Sequence, residues 1–423
     1  MNWTAEAGPV SAAMTAAELD VVDPLAGFRQ EFEVPDGTYL VGNSLGALPR
    51  AARETLGLEL DRWATLGGEA HFDGPLGWKD YHGLLTGPMA DLAGAGADEV
   101  VAMNALTVNL HLLLVSFYRP TPGRHKVLVE NHAFPSDHFA VESQIHQRGY
   151  DPATSLVTVA PRDGEELLRH EDVLAAIAEV GDELALVLLP GVQYYTGQVL
   201  PMAELAAAGH EVGAVVGLDL AHAVGNVELS LHDWGVDFAV WCSYKYLNGG
   251  PGGVGAAYVH RDHVADPDLP KLHGWWGTDP DSRFAMATTF DAIPTVESWQ
   301  LSNAPILPMA ALRASLDVFQ RAGGMGPLRR KSELLIAYLD RRLDEVLAGR
   351  VENLAPKALA ERGCQSALRI VAGDGPRVYE ALKAERVWCD WRQPDAIRVA
   401  PVPLYNSFAD VDRLIEVLDG VTR

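Results

Sequence analysis

A chain of 423 residues exceeds what a single core usually serves, so two domains are expected. Its formal charge of -24 excludes nucleic acid and anionic membrane surfaces as natural partners, because both are held by basic patches, and points to a soluble protein acting on small molecules. The three cysteines, Cys242, Cys364 and Cys389, form neither an even framework nor a C-x-x-C pair, which fits a reducing compartment and argues against a zinc site; no metal is expected.

Met1 to Asp20 lacks a basic n-region and an apolar h-region, so no signal peptide is expected. Thr15 with Glu18 reads as a capping box opening a short helix. No apolar run approaches the roughly 20 residues of a membrane span, Leu110 to Tyr118 being too short, and a cytoplasmic location is expected. From residue 50 helical and strand-like patterns alternate, the mark of an α/β domain with a largely parallel sheet. Leu106-Thr107 opens an apolar helical run, and a helix N-terminus with a hydroxyl is a ready phosphate site, although an ordinary threonine cap looks the same.

Lys126 to Glu130 reads as a strand followed by Asn-His-Ala-Phe-Pro-Ser-Asp, and Leu184 to Leu189 as a second followed by Pro-Gly. Ala214 onward is another buried strand, carrying Asp219 near its C-terminal end with His222 just beyond. Val236 to Cys242 is apolar without alternation, hence buried on both faces, and is followed by Lys245 and a glycine cluster ending at Gly255. Beyond residue 300 the chain changes character: Met309 to Ala348 is mostly helical with a break at Gly323-Gly-Met-Gly, and Ser366 to Val371 and Ala396 to Val399 read as strands, each followed by a helix.

Lys245 and Asp219 carry the chemical argument. A buried ammonium must reach water, pair with an anion, or be consumed as a Schiff base. Ligands of open α/β sheets gather beyond the carboxyl ends of the strands, where both residues lie. Pyridoxal phosphate (PLP) needs both groups, a lysine for its aldehyde and an acid facing the pyridine nitrogen. The structural alternative is an aspartate capping the next helix beside a snorkelling surface lysine. Two successive strands, each ending in the required group, weigh against it.

Ser-Tyr-Lys-Tyr-Leu-Asn (243 to 248), preceded by Asp-Leu-Ala-His-Ala-Val-Gly-Asn (219 to 226), resembles the kynureninases, PLP enzymes of the aspartate-aminotransferase-like fold type I in the class V group. The resemblance continues, in family order from about residue 40 to the end, through Gly-Asn-Ser-Leu-Gly (42 to 46), Met-Asn-Ala-Leu-Thr-Val-Asn-Leu-His (103 to 111), Phe-Pro-Ser-Asp (134 to 137), Tyr-Tyr-Thr-Gly-Gln (194 to 198), Gly-Trp-Trp-Gly (274 to 277) and Ile-Arg-Val-Ala-Pro-Val-Pro-Leu-Tyr-Asn-Ser (397 to 407). It implies a large domain, 51–300, with a mostly parallel seven-stranded sheet, and a smaller α+β domain, 301–423, joined by the N-terminal segment 1–50.

By the same resemblance Lys245 holds PLP, Asp219 faces its ring nitrogen, and Tyr244 relays protons or bonds the phosphate. Leu106 and Thr107 bind the phosphate, Phe134 stacks on the ring, and Ser136, Asp137 and His222 complete the cofactor's surround. Ser44, His71, Asn303 and Arg398 are the substrate contacts, Arg398 taking the α-carboxylate through a two-pronged contact. Trp275 and Asn303 reach across a homodimer to the other subunit's cofactor or substrate. Some family members carry Ser-Gly where this chain has Pro190-Gly191, which removes one side-chain contact to the cofactor.

The reaction implied is hydrolytic Cβ–Cγ cleavage of L-kynurenine or a ring-substituted relative, in tryptophan degradation, NAD biosynthesis or secondary metabolism. His71 and Asn303 match residues associated with preference for 3-hydroxykynurenine. The alternatives are another class V enzyme, such as a transaminase or a cysteine desulfurase, in which a histidine typically stands where Tyr244 does, and a non-catalytic PLP-binding regulator, which ordinarily needs a basic DNA-binding module.

Overall fold

The computed structural model describes residues 14–266, 268–371 and 373–423. The expectation for Met1 to Asp20 therefore falls largely on residues 1–13, outside the described residues. Helix α1 (Ala16–Val22) opens on the expected capping box, Thr15 and Glu18 satisfying each other's backbone N–H.

Apolar runs build the large sheet from seven strands: β1 (Val100–Ala102), β2 (Lys126–Glu130), β3 (Leu156–Val159), β4 (Leu184–Pro190), β5 (Val215–Asp219), β6 (Phe238–Cys242) and β7 (Gly255–Val259). Their spatial order is β1-β7-β6-β5-β4-β2-β3. Neighbours from β3 to β6 are parallel, and β7 runs antiparallel to both β6 and β1.

Strand periodicity divides the buried side chains between two cores, one on each face of the sheet. From β6, Ala239 and Trp241 enter one, Phe238 and Val240 the other. Phe238 stacks on Phe117 at 4.9 Å and lies across Gly217 of β5, where an added Cβ would meet its ring at 2.2 Å. Removing that ring would leave a cavity costing about 3–5 kcal/mol. The first core also takes in α2 (Ala51–Leu66), α3 (Gly83–Ala93) and the helix Ile306–Arg321, whose Leu312, Leu316 and Phe319 are buried in it.

A second unit holds an antiparallel sheet of β8 (Val351–Asn353), β9 (Ser366–Ile370), β10 (Asp390–Arg392) and β11 (Ala396–Val399), in the order β8-β9-β11-β10. Its separate core joins Leu19 of α1, Leu335 and Leu339 of the helix Met325–Val346, Leu368, and Leu414 and Leu418 of the C-terminal helix Phe408–Val421. The N-terminal segment is stitched in by Thr38–Tyr39, which pairs with Val387–Trp388. Among the described residues no helix is long and apolar enough to cross a membrane.

Candidate active site

Four adjacent parallel strands, β2, β4, β5 and β6, end on one side of the sheet and deliver Glu130, Pro190, Asp219 and, just past β6, Lys245 into one cavity. Leu106, Thr107, Phe134, Ser136 and Asp137 close it from α4 (Leu106–Phe117) and α5 (Pro135–Gln147), and His222 and Tyr244 complete the wall. The cofactor-site residues expected from the large sheet are thus brought together.

Local sequence explains the geometry. The turn into α4 is set by Asn104 in the left-handed region (φ 47), with its Nδ2 donating to Asn109 Oδ1 at 2.9 Å and Asn109 Nδ2 donating to Met103 O at 2.9 Å. No side chain caps the first turn of α4, so its N–H groups remain available to an anion. β7 approaches this turn closely: a Cβ on Gly255 would lie 3.0 Å from the backbone of Ala105 and Leu106. On the opposite side the 42–46 segment docks on the lysine turn, Gly46 N–H donating to Tyr244 O at 2.8 Å.

Among the described residues no ion pair holds Lys245; its Nζ lies 5.9 Å from the Phe134 ring centroid and 5.8 Å from that of Tyr244. Burial pushes the Asp137 carboxyl well above the usual range, and its neighbour Asp219 pushes it further. Burial raises Asp219 too, but the Ala221 N–H at 2.7 Å, the charge of Lys245 and a hydrogen bond from Asp137 oppose it. Both carboxyls of the pair are thus shifted toward the protonated form, Asp137 the more strongly, while the N–H of Ala221 and the charge of Lys245 favour the ionised form at Asp219. His222 is held neutral by burial and by the nearby cations, and its Nδ1 has no partner; Asp137 Oδ1 is likewise buried and unpartnered. Burial also raises the Tyr244 hydroxyl, so it remains a donor.

The remaining expected residues lie elsewhere in the subunit. Ser44 sits in the docked 42–46 segment but does not line the cavity. His71 ends a short 3-10 turn, its Nδ1 3.1 Å from Gly68 O and its ring edge-on to Trp78. Trp275 is exposed and lines a second cavity with Arg283 and Phe290, and Asn303 is exposed. Arg398 of β11 is buried: Nε donates to Asp390 Oδ1 at 2.7 Å, Nη2 to the other oxygen of that carboxylate, and Nη1 to Tyr194 O at 2.6 Å. These use three of its five N–H donors, leaving one on each terminal nitrogen, and Arg398 does not itself line the cavity.

Among the lining residues that carried no expected role, Tyr194 and Glu130 bear polar groups. Tyr194 packs edge-on to Phe134 at 5.4 Å, and the Arg398 guanidinium lies 6.0 Å from its ring. Glu130 is buried, with one oxygen bonded to Gln193 and the other to nothing. The signal that identified Asp219, an acid closing an apolar strand, was present in Lys126–Glu130 as well.

Residues 88–369 match the family described as aminotransferase class V, and residues 328–418 match the kynureninase C-terminal domain. The chain is 50% identical over 407 residues to the kynureninase of Koribacter versatilis strain Ellin345, covering 95% of this chain and 96% of that relative. It is equally 50% identical over 414 residues to the kynureninase of Myxococcus xanthus strain DK1622, covering 96% and 97%. Among solved structures, the complex of the cystine C-S lyase C-DES with cysteine persulfide aligns with a TM-score of 0.78 at 19% identity, over 91% of this chain and 98% of that one. The apo cysteine desulfurase of Thermococcus onnurineus NA1 aligns at 0.75 and 17%, over 94% and 97%. At such identities these structures are similar to this chain in fold alone.

Proposed function

Since the chain belongs to the kynureninase family, we propose that the Lys245 cavity is where it hydrolyses the Cβ–Cγ bond of a kynurenine, releasing L-alanine and an anthranilate, with 3-hydroxy-L-kynurenine the better substrate. The enzyme is a PLP-dependent hydrolase of carbon–carbon bonds. The observation that carries the assignment to this cavity is the meeting of Lys245, which has no ion pair among the described residues, with the Asp219 carboxyl and the uncapped N-terminus of α4.

The cavity's donor set suits PLP. Its amine is Lys245, its acid for a ring nitrogen is Asp219, and Thr107 with the α4 N–H groups suits a phosphate, while the unpartnered atoms of Asp137 and His222 are buried polar groups awaiting a ligand. When bound, PLP supplies an electron sink for carbanions formed on the substrate. Lys245 then takes the α-proton as general base, Asp219 holds a proton on the ring nitrogen, and Asp137 fixes Asp219 by donating to it. Tyr244 donates to the phosphate or passes a proton at the same end. Arg398, with its two spare N–H donors, receives the α-carboxylate, and Ser44 lies within the segment docked on Tyr244.

The same proposal includes a cytoplasmic homodimer in which Trp275 and Asn303 act on the partner's site, with 51–300 as the cofactor-holding unit and 1–50 with 301–423 as the smaller one. Exposed Phe72, Phe284 and Trp275, whose rings pack edge-on in series, support the dimer, since large apolar side chains gathered at one surface favour association. His71 and Asn303 then face the substrate ring, and a site built for a ring hydroxyl leaves a polar group unpaired without it, at about 1–3 kcal/mol or about 5- to 150-fold in specificity.

Alanine release is measured from kynurenine and 3-hydroxykynurenine, against sulfide release from cysteine. Efficient alanine release, higher with the hydroxylated substrate and less so in His71→Phe, is expected. Sulfide without alanine would overturn the reaction, and a tenfold preference for plain kynurenine would overturn only the ring-end reading.

A further inference from the structure

One buried acid of the cavity takes no part in the proposed reaction. Glu130 closes β2 and is 2% exposed. Its Oε1 accepts from Gln193 Nε2 at 3.1 Å. That amide cannot turn round, because Gln193 Oε1 accepts the N–H groups of Tyr195 at 2.6 Å and Thr196 at 2.9 Å. Gln193 therefore always presents a donor to Glu130, and Oε1 always serves as acceptor. Oε2 is buried without any partner, and Glu130 lines the cavity.

The neighbouring strand sharpens the point. β4 ends in Pro190, which has no N–H and no side-chain donor, so at this strand end the cavity offers a ligand no hydrogen-bond donor. The groups facing Glu130 across the cavity are Asp137 of α5, Tyr194, Asp219, His222 and Lys245. An ionised Glu130 would be a buried negative charge with a single hydrogen bond to hold it, and burial pushes its carboxyl up to about 7 against the weaker pull of Gln193. With Oε1 fixed as acceptor, the proton of the neutral acid belongs on Oε2, where the protein supplies no acceptor.

We propose that Glu130 is a cofactor-contacting residue that works as a neutral acid, donating a hydrogen bond from Oε2 to the phenolic oxygen of bound PLP on the Pro190 side of the cavity. The inference rests on the cavity being the PLP site. It makes Glu130 a donor rather than a base, and it ties the electronic state of the bound ring to the protonation of a group that titrates near neutrality.

The test uses purified holoenzyme and reads the cofactor, not turnover. Wild type is examined first: no bound-PLP absorbance would overturn the assignment of the cavity itself. Given a loaded wild type, Glu130→Gln keeps a donor at this position and Glu130→Leu removes it. Cofactor dissociation constants and the absorbance of bound PLP between pH 6 and 9 are then compared. Glu130→Leu is expected to weaken PLP binding about 5- to 30-fold and to shift the absorbance. Glu130→Gln should bind within about twofold of wild type and lose the spectral change near pH 7. Wild-type affinity and spectrum in Glu130→Leu would overturn the proposal, as would a Glu130→Gln protein as weak as Glu130→Leu while melting like wild type. If Glu130→Leu does not fold, Glu130→Gln decides: retained affinity without the pH response supports the donor, and a wild-type pH response overturns it.

Discussion

At the C-terminal ends of β2 and β5, Glu130 and Asp219, with Asp137 beside them, are buried acids whose affinity for protons is raised, burial being the main cause at all three. At the opposite ends of the same sheet stand two more buried acids, Glu99 before β1 and Asp237 before β6, and there the shift is reversed. Burial opposes ionisation at Asp237 as well, yet donors from His210 at 2.8 Å, His263 at 2.5 Å and the Val216 N–H at 2.6 Å bring it down to about 2. Glu99 is treated alike: the N–H groups of Gly96 and Arg261 and the ring of His232 occupy both of its oxygens, and His232 stacks on His260 at 4.9 Å. Although Glu99, His232 and His260 are close enough to resemble a cation site, the carboxylate is already spent on donors of the protein.

The number of donors, not the depth of burial, separates the two groups. A carboxylate given its full set of N–H partners holds the structure together; one denied them waits for a ligand. The active edge therefore stores unpaired polar groups at a cost in stability, and the far edge contributes stability with the same residue types.

The largest expected effect lies at the active edge. Lys245→Ala should lower turnover by about a thousandfold or more and abolish the bound-cofactor absorbance that borohydride reduction removes. A peptide map placing the reduced pyridoxyl group on another lysine would sink this assignment.

Asp219→Asn should lower kcat by about a hundredfold, through loss of the charge facing the ring nitrogen, while leaving the apoprotein as stable as wild type or slightly more so. The change removes a buried charge that has Asp137 as neighbour and only one backbone donor. Urea unfolding of the apoprotein measures it, and a loss of several kcal/mol would show that Asp219 is held as firmly as Asp237.

Asp237→Asn should do the reverse. It breaks a buried, fully bonded charge network and should cost about 3 kcal/mol of stability, with kcat at saturating PLP unchanged. The pH dependence has a definite sign: a carboxyl depressed to about 2 in the folded chain contributes stability that is complete above its unfolded value near 4 and lost as pH falls through 2. The variant should lack that acid-side loss, which chemical unfolding between pH 5 and 2 would reveal.

What the sequence shows of this contrast follows from what is local. β2, β11 and the helix break before Met325 were legible because apolar runs and glycines act on their own segment. Asp219 and Lys245 were legible because each closes such a run. The pairing of Arg398 with Asp390 and with Tyr194 O, 204 positions away, was not, since nothing within Ile-Arg-Val specifies a distant partner. Nor was the clamp on Asp237, whose histidines come from the helix Met202–Glu211 upstream and from the short helix Arg261–Val264 after β7. His71, Trp275 and Asn303 rested on resemblance alone, and they lie outside the Lys245 cavity of a single subunit.

The smallest effect tests the far edge from its solvent side. His210 donates to Asp237 from a ring that is 42% exposed, and this hydrogen bond raises its affinity for protons against the opposing pull of burial. A raised histidine stabilises the fold fully below its unfolded value near 6.5, and that contribution disappears as pH rises through the higher folded value. Because the ring is so exposed, solvent screening limits the contribution to at most about 1 kcal/mol. His210→Gln keeps a donor able to reach Asp237 but cannot carry charge, so it should lose up to that amount at pH 6 and match wild type at pH 9. Asp237 retains His263 and the Val216 N–H in the variant, which is why the loss stays well below that of Asp237→Asn. Urea midpoints at the two pH values measure the difference. A variant equally destabilised at both would show that His210 acts by packing or geometry and not by its charge.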